Sequence, residues 1–263
     1  MFYVLSDIHL EFFKKSQVDT SINWIKNKLI DPDSYLILAG DICSVSSKNF
    51  EYFFSSIQSM FKKIFYVLGN HEFYNSDITT TKNLLATKLE ELNNNNNNII
   101  LLDNSSYYLQ DANILIVGST LWSDLTYNND NIWKAKYMIN DFNYINNFSV
   151  DEYQNYFKKD LKYLEDEIQQ NMDKRILVVT HHVPTYELID KKYKNDPMNI
   201  CFASELNHLF QKPIIAWIYG HTHTASEKII NNIKFKCNPI GYVGENKTFK
   251  IIDQLDLSNE KIE

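Results

Sequence analysis

Short apolar runs recur along the first part of the chain, and polar residues follow each run at once. Segments with the spacing of amphipathic helices separate these runs. The apolar runs are Phe2–Leu5, Tyr35–Ala39 and Ile64–Leu68, and the helical segments cover about Ser21–Leu29, Phe50–Phe61 and Thr79–Leu92. Strands that alternate with helices predict an α/β fold with a parallel sheet. Ligands of such sheets bind beyond the carboxyl ends of the strands.

The middle of the chain predicts a hairpin and one long helix. Strands near Ser106–Gln110 and Ile114–Ser119 are joined by a spacer that favours a turn. Ser149 and Glu152 form a capping-box pattern, and apolar residues then recur at spacings of three and four, which predicts an amphipathic helix. Between them, Leu121–Phe148 has no regular pattern. We expect an inserted cap or a substrate-facing loop there.

The last part of the chain continues the alternation and ends in antiparallel strands. The elements that we expect are strands at Ile176–Val179 and Ile214–Tyr219, a loop over Val183–Phe202, a short helix near Ala203–Phe210, and strands at Ile229–Ile230, Ile233–Cys237 and Phe249–Leu255. There is no internal repeat and no linker-like stretch in the sequence. We therefore expect residues 1–263 to form a single domain, with the cap or loop at 121–148.

Charge and cysteine content narrow the class of protein. The chain has 263 residues and a net charge of −7, and Arg175 is its one arginine. A nucleic-acid-binding protein normally carries a basic stripe, so extended nucleic acid is not an expected partner. Three scattered cysteines do not suggest a disulfide framework. The first strand begins at Phe2, and no apolar run has the length of a membrane span. These features predict a cytoplasmic protein without membrane contact; oligomeric state is left open.

The chemistry lies in the polar residues that follow the strands. Six of the seven histidines fall in four short motifs, and one further carboxylate follows the second strand. The blocks are Asp7-Ile8-His9, Gly40-Asp41, Gly69-Asn70-His71-Glu72, Thr180-His181-His182 and Gly220-His221-Thr222-His223. Imidazole and carboxylate together suit zinc, manganese or iron. Taken singly, Asp7 is a plausible helix cap, Asn70 a plausible turn residue and each histidine a plausible structural residue; the whole set at strand ends favours a metal site.

In their order, these blocks resemble the calcineurin-like metallophosphoesterase superfamily, whose pattern is D-x-H, G-D, G-N-H-[DE], a histidine after a strand, and G-H-x-H. The resemblance runs from Asp7 to His223. It implies a four-layer α/β/β/α sandwich of two mixed sheets flanked by helices. It also implies a dinuclear metal-dependent hydrolase, which cleaves a small phosphodiester or phosphomonoester with a hydroxide that bridges two divalent ions of manganese, iron or zinc.

The resemblance assigns roles to individual residues. Asp41 would bridge the two metals, and His71 would protonate the leaving oxygen. The remaining ligands would be Asp7, His9 and His223 for the first metal, and Asn70, His181 and His221 for the second. His182 stays ambiguous, because either histidine of the pair is a candidate ligand; we favour His181 as the ligand and His182 as a substrate-binding or supporting residue. Ser44 stands where many relatives have a second aspartate, so the residue that orients His71 is open.

The substrate is the least determined part. Phe73, Trp122 and Tyr186 lie near motif ends, where they could hold an apolar or nucleobase leaving group or pack beneath the loops. Because no arginine lies beside the motifs, a monoanionic diester is favoured over a dianionic monoester. The alternatives are a metal-dependent nuclease, which the acidic charge disfavours, and a catalytically silent scaffold on the same fold, which intact motifs disfavour.

Overall fold

Two mixed β-sheets and the helices around them form the protein. The computed structural model describes residues 1–29, 31–94, 97–127, 132–242, 244–245, 250 and 252–257. The strands are β1 Phe2–Leu5, β2 Tyr35–Ala39, β3 Lys63–Val67, β4 Ile99–Leu101, β5 Ser105–Leu109, β6 Ile114–Ser119, β7 Arg175–Thr180, β8 Ile214–Ile218, β9 Ser226–Ile230, β10 Ile233–Cys237 and β11 Asp253–Leu255. The helices are α1 Lys15–Lys28, α2 Lys48–Ile57, α3 Ile78–Asn93, α4 Ile132–Met138, α5 Asp141–Tyr144 and α6 Val150–Gln170.

The sheets are mostly parallel, with antiparallel strands at their edges. The first has the order β11-β1-β2-β3-β4, and only β11 runs antiparallel to its neighbour. The second has the order β5-β6-β7-β8-β10-β9, with antiparallel pairs at both ends. The expected α/β fold with two mixed sheets flanked by helices is therefore confirmed. The carboxyl ends of β1, β2 and β3 share one edge of the first sheet, as those of β7 and β8 do in the second.

Strands β1, β2 and β3 are almost entirely apolar because both of their faces are buried. Val4, Ile37 and Val67 point to the interface between the sheets, where they join a cluster that includes Ile116 and Val179 of the second sheet. The alternate residues of the same strands belong to a second cluster, with the buried faces of the helices; examples are Leu5, Leu38 and Tyr66, beside Phe50 and Phe54 of α2. This double burial is why the strands read as continuous runs without polar alternation.

Several elements differ from the expectation. Helix α1 begins at Lys15, well before Ser21. The sequence pattern does not predict this start, because the first turn faces solvent and contains only Val18 as a buried apolar residue. Strand β4 was not expected, since three residues after an asparagine run are too short to show a pattern. The helix expected near Ala203–Phe210 is wrong: only a 3-10 turn forms, at Asn207–Leu209.

The segment Leu121–Phe148 is more regular than its sequence indicates. It contains α4 and α5, although residues 128–131 lie outside the described part. The backbone of this segment pairs with the loop after β3, where Asn75 N donates to Tyr144 O at 2.7 Å. The hairpin of β5 with β6 and the capping box at Ser149 form as expected. No helix in the described ranges has both the length and the apolarity that a bilayer span requires.

Candidate metal centre

Loops from both sheets converge where the strands end. The loop after β1 carries Asp7 and His9, and the loop after β8 carries His223; one ligand atom of each lies within 4.8 Å of the others. Asp41, His181 and His221, which follow β2, β7 and β8, form a second group of the same size. The two groups correspond to the two sets of ligands that the sequence predicts.

Asp41 lies between the two groups. Its Oδ2 atom is 3.4 Å from His181 Nε2 and 3.9 Å from His9 Nε2. Asn70 joins the second group, because its Oδ1 atom is 3.1 Å from His181 Nε2. The amide of Asn70 is held in this orientation by its Nδ2 atom, which donates to the buried Asp141 Oδ1 at 2.7 Å. One carboxylate in this position can contact cations on both sides.

The histidine rings have fixed orientations and fixed tautomers. His181 Nδ1 donates to Ala39 O at 2.9 Å, and His221 Nε2 donates to Cys201 O at 3.3 Å, because a carbonyl oxygen can only accept. His223 Nδ1 likewise donates to Glu245 Oε2 at 2.6 Å. In each neutral ring, the other nitrogen must then carry its lone pair toward the cluster. Such outer hydrogen bonds are typical of metal-binding histidines.

The ring nitrogens that point into the cluster lie close to one another. His9 Nε2 is 2.9 Å from His223 Nε2, and His181 Nε2 is 3.1 Å from His221 Nδ1. Acceptors this close repel each other unless a proton or a cation lies between them. Burial by itself lowers the pKa of His181, but the charge of Asp41 outweighs it and raises that pKa to about 10. The residues therefore fit divalent metal ions, with a proton as the substitute when no metal is bound.

The backbone of the ligands is strained. Asp7, His9, Asp41, His221 and His223 have φ values of 50°, 54°, 54°, 69° and 49°, in the left-handed region that side chains other than glycine rarely adopt. Each such residue costs on the order of 1–3 kcal/mol and persists only where the surroundings impose it. Strained residues of this kind cluster at functional sites, and here they coincide with predicted ligands.

Two glycines permit the close packing of these loops. Gly40 has a φ of 83°, and a Cβ atom there would lie 2.4 Å from His181 Nδ1. A Cβ atom at Gly69 would lie 2.1 Å from Asp41 Oδ1. Glycine is therefore needed at position 40 both for the backbone turn and for the close approach of His181. At position 69 it is needed only for the close approach of Asp41. A substitution at Gly69 would displace the carboxylate between the two ligand groups.

A buried carboxylate ties two of the loops together. Glu72 Oε2 accepts from the backbone N–H groups of Gly69 and Asp41, at 2.7 and 3.0 Å, and its Oε1 accepts from Ile42 N at 2.8 Å. The hydroxyl of Tyr66 donates to the same carboxylate at 2.8 Å. Glu72 thereby satisfies donors that the sharp turns after β2 and β3 leave unpaired, which fixes the position of Asp41.

His71 is oriented by Glu11, a residue that the sequence reading missed. His71 Nδ1 lies 3.0 Å from Glu11 Oε1, and Ser44 N donates to Glu11 Oε2 at 3.3 Å. Glu11 thus supplies the carboxylate beside His71 that position 44, a serine here, does not provide. Burial lowers the pKa of His71, but Asp41 and Glu11 raise it to about 9 overall. The position of Glu11, two residues after His9 in the same loop, is the one sequence feature that could have identified it.

His182 lies beneath the cluster. It is fully buried, its ring is 4.2 Å from that of His221, and its Nε2 atom is 3.5 Å from Tyr153 OH. Burial lowers its pKa to about 3, so the ring is neutral. It does not line either of the cavities at the site. This placement agrees with the supporting role among the two roles that we expected for it.

The aromatic residues expected near the substrate are mostly internal. Phe73 and Trp122 are only 1% and 2% exposed, and they pack together with ring centroids 6.1 Å apart. Of the two alternatives for Phe73 and Trp122, the structure therefore supports packing beneath the loops and not contact with a leaving group. A sequence position near a motif does not reveal whether a side chain points inward, and here the loops fold over both rings. Among the described residues, the aromatic side chains that do line the cavities at the site are Phe12, Phe13, Tyr74, Tyr144, Tyr193, Phe202 and Tyr242.

With this geometry in view, comparison with known proteins identifies the family. The chain belongs to the calcineurin-like phosphoesterase family, whose model matches residues 1–225. It is 30% identical to the uncharacterized protein L509 of Acanthamoeba polyphaga mimivirus, over 97% of this chain and 98% of that protein. We therefore place the protein among the metal-dependent phosphoester hydrolases, and the resemblance that its motifs predict is confirmed.

Solved structures share the fold. A phosphopantetheinyl hydrolase from Mycobacterium tuberculosis superposes with a TM-score of 0.75 at 14% identity, and the match covers 100% of this chain and 98% of that one. A dimetal phosphatase from Danio rerio superposes with a TM-score of 0.53 at 14% identity, over 90% and 86% of the two chains. At these identities the likeness is one of architecture.

The first prediction tests the position of Asp41 between the ligand groups. The Asp41→Ala variant should lose both metal ions, because it removes the carboxylate that both groups approach. Elemental analysis of metal-loaded, desalted protein measures the ions per chain. His182→Ala is the matched control and should retain both ions, since His182 belongs to neither ligand group. Full retention of one ion by Asp41→Ala would contradict the shared role.

The second prediction follows from the raised pKa of His181. At pH 7 its ring is protonated without metal and must lose that proton to bind one. Metal binding should therefore release about one proton per chain at pH 7, and the release should decline as the pH rises toward 10. Calorimetric titrations with metal in buffers of different ionisation enthalpy count the protons. Binding at pH 7 without proton release would contradict the assignment.

Proposed function

We propose that the protein is a dinuclear metal-dependent phosphodiesterase for a small substrate. The observation that supports this proposal is the position of Asp41. Its Oδ2 atom lies 3.4 Å from His181 Nε2 and 3.9 Å from His9 Nε2, which are ligand atoms proposed for different ions. The proposed ligands are Asp7, His9, Asp41 and His223 for one ion, and Asp41, Asn70, His181 and His221 for the other. Nitrogen and oxygen donors in this proportion suit manganese, iron or zinc. Two such ions, when bound, supply Lewis acidity and an activated water.

His71 is the proposed general acid. Its Nδ1 atom is held by Glu11, so its Nε2 atom faces the open side of the site, 3.3 Å from Tyr242 OH. Its backbone N–H donates to Asp41 Oδ1 at 2.9 Å, which couples the position of the ring to the ligand cluster. Burial lowers the pKa of His71, whereas Asp41 and Glu11 raise it; cations on Asp41 would leave Glu11 as the group that favours the protonated ring, which can donate its proton to the departing oxygen.

The charge of the surroundings favours a diester. Among the described residues that line the two cavities at the site, there is no lysine or arginine. Instead, Asp190, Asp196 and Glu245 line one of the cavities. A phosphomonoester dianion gains most from additional cationic donors, whereas a diester carries one charge fewer. The same acidic residues disfavour a nuclease, whose substrate has many phosphates. The complete ligand cluster disfavours a silent scaffold.

The third prediction concerns His71 and Glu11. His71→Ala should retain its metals and lose about a hundred- to ten-thousand-fold in kcat, because it removes the proton donor. The loss should be smaller for nitrophenyl esters than for alkyl esters, since nitrophenolate leaves without protonation. Glu11→Gln should reduce kcat less and shift the basic limb of the pH–rate profile to lower pH, because the carboxylate raises the pKa of His71. Full activity of His71→Ala on an alkyl ester would exclude the role.

The fourth prediction tests the proposed function directly. Metal-loaded protein should hydrolyse bis-nitrophenyl phosphate at least as efficiently as nitrophenyl phosphate, measured as kcat/KM with Mn²⁺, Zn²⁺ and Mg²⁺ added separately. The Asp41→Ala variant controls for contaminating hydrolases and should be inactive on both esters. A strong preference for the monoester under saturating metal would move the protein to the phosphatases, and inactivity on all esters would favour the scaffold alternative.

A further inference from the structure

Two cavities adjoin the ligand cluster, one on each side of His71. The first, of about 380 Å³, is named the acidic cavity here; Asp190, Asp196 and Glu245 line it beside apolar residues such as Ile189 and Met198. The second, of about 720 Å³, is named the aromatic groove. It is lined by Phe12, Tyr144 and Tyr242, with Ser44 and Ser46.

The two cavities meet at a shared wall. His71, Tyr74, Asn140 and Tyr242 line both of them. The acidic cavity also contacts Asp41 and His221, and the aromatic groove also contacts His9. A phosphate held at the ligand cluster therefore has open space on two sides, with the proposed general acid at the boundary between them. A phosphomonoester has one organic group and would need only one of these cavities, whereas a phosphodiester has two.

The aromatic groove exposes an unusual amount of aromatic surface. Phe12 is 60% exposed, Tyr144 is 48% exposed and Tyr242 is 41% exposed. The ring of Phe12 lies 6.0 Å from that of His71 and 5.9 Å from that of Tyr242. Single exposed apolar residues are common on protein surfaces, but several aromatic rings around one groove favour contact with a ligand ring.

The acidic cavity differs in its carboxylates, although it too has aromatic lining, from Tyr193 and Phe202 beside the shared Tyr74 and Tyr242. Asp190 and Asp196 line it, and the side chain of each also accepts from a backbone N–H of its own turn, at 2.9 and 2.8 Å. Ile189 and Met198 provide apolar wall. Fixed negative charge beside apolar surface accommodates a neutral or cationic chain and repels an anionic one.

We propose that the substrate is an asymmetric phosphodiester with one organic group in each cavity: a planar ring in the aromatic groove, and a neutral or cationic chain in the acidic cavity. This inference rests on the proposed phosphodiesterase function. It assigns substrate selection to Phe12 on one side and to Asp190 and Asp196 on the other. A second phosphate on the chain is excluded by the same charges.

The test uses three nitrophenyl phosphodiesters that differ only in the second alcohol. The alcohols are choline, its neutral carbon isostere 3,3-dimethylbutanol, and the anionic 2-hydroxyethanesulfonate. For the metal-loaded protein, kcat/KM should fall in that order, with about a tenfold difference between the cationic and the anionic ester. A flat series would overturn the assignment of the acidic cavity.

Variants separate the two cavities. The double variant Asp190→Asn, Asp196→Asn keeps the side-chain oxygens that cap the turns, and it should bring the cationic and anionic esters to within about twofold of each other. Phe12→Ala should lower kcat/KM about fivefold for all three esters and leave their order unchanged. Asp173→Asn and Tyr108→Ala, which alter exposed residues outside both cavities, are the matched controls and should behave as the unaltered protein.

The outcomes distinguish this inference from the proposed function. Bis-nitrophenyl phosphate hydrolysis tests the phosphodiesterase function by itself. If it occurs while the double aspartate variant keeps the ester preference and Phe12→Ala keeps the full kcat/KM, the two-cavity assignment is wrong and the phosphodiesterase stands. If Phe12→Ala changes the order of the three esters, the aromatic groove does not hold the nitrophenyl ring. If no ester is hydrolysed by protein that carries its metals, the proposed function itself fails.

Discussion

The mutual repulsion of buried acceptors is the constraint on which this structure depends. His9 and His223 present ring nitrogens to each other at 2.9 Å, and His181 and His221 do so at 3.1 Å. Outer hydrogen bonds hold the donor nitrogens of at least three of these rings away from the cluster. A proton on His9 Nε2 can link the first pair, but the second pair requires positive charge, from a proton on His181 or from a cation, and a cation can satisfy several acceptors at once.

The fold provides the force that holds these groups together. Strands buried on both faces make rigid supports, so the loops at their carboxyl ends have little freedom. Strain in the left-handed residues, such as Asp7 and Asp41, is imposed by those supports. Glu72 adds a fixed anchor by accepting the turn amides of two loops. The metal site is thus largely preorganised, which lowers the cost of assembling it when an ion binds.

How far the sequence predicts the site depends on where each residue comes from. The ligands follow apolar strands in short motifs, so strand order places Asp7 and Asp41 at one edge of the first sheet and His181 at the corresponding edge of the second. The supporting residues have no such relation. Asp141 arrives from a segment without recognisable periodicity, and Glu245 from a stretch with no motif. Their contacts depend on how distant loops pack, which local patterns do not encode.

The same reasoning explains the errors. The first turn of helix α1 and strand β4 lack the periodic apolar residues that predict such elements, and tertiary packing stabilises them instead. Phe73 and Trp122 lie beside motifs but face the core, whereas Phe12, which also follows a motif, faces solvent. The sequence shows that an aromatic residue lies beside a motif, but the path of the loop decides which way its ring points.

The most direct test of the central claim is the anomalous scattering of crystals loaded with Mn²⁺. We expect two anomalous peaks per chain, about 3.5–4 Å apart, with Asp41 in contact with both. One peak should adjoin His9 and His223, and the other should adjoin His181 and His221. A single peak, or two peaks of which Asp41 contacts only one, would contradict the account.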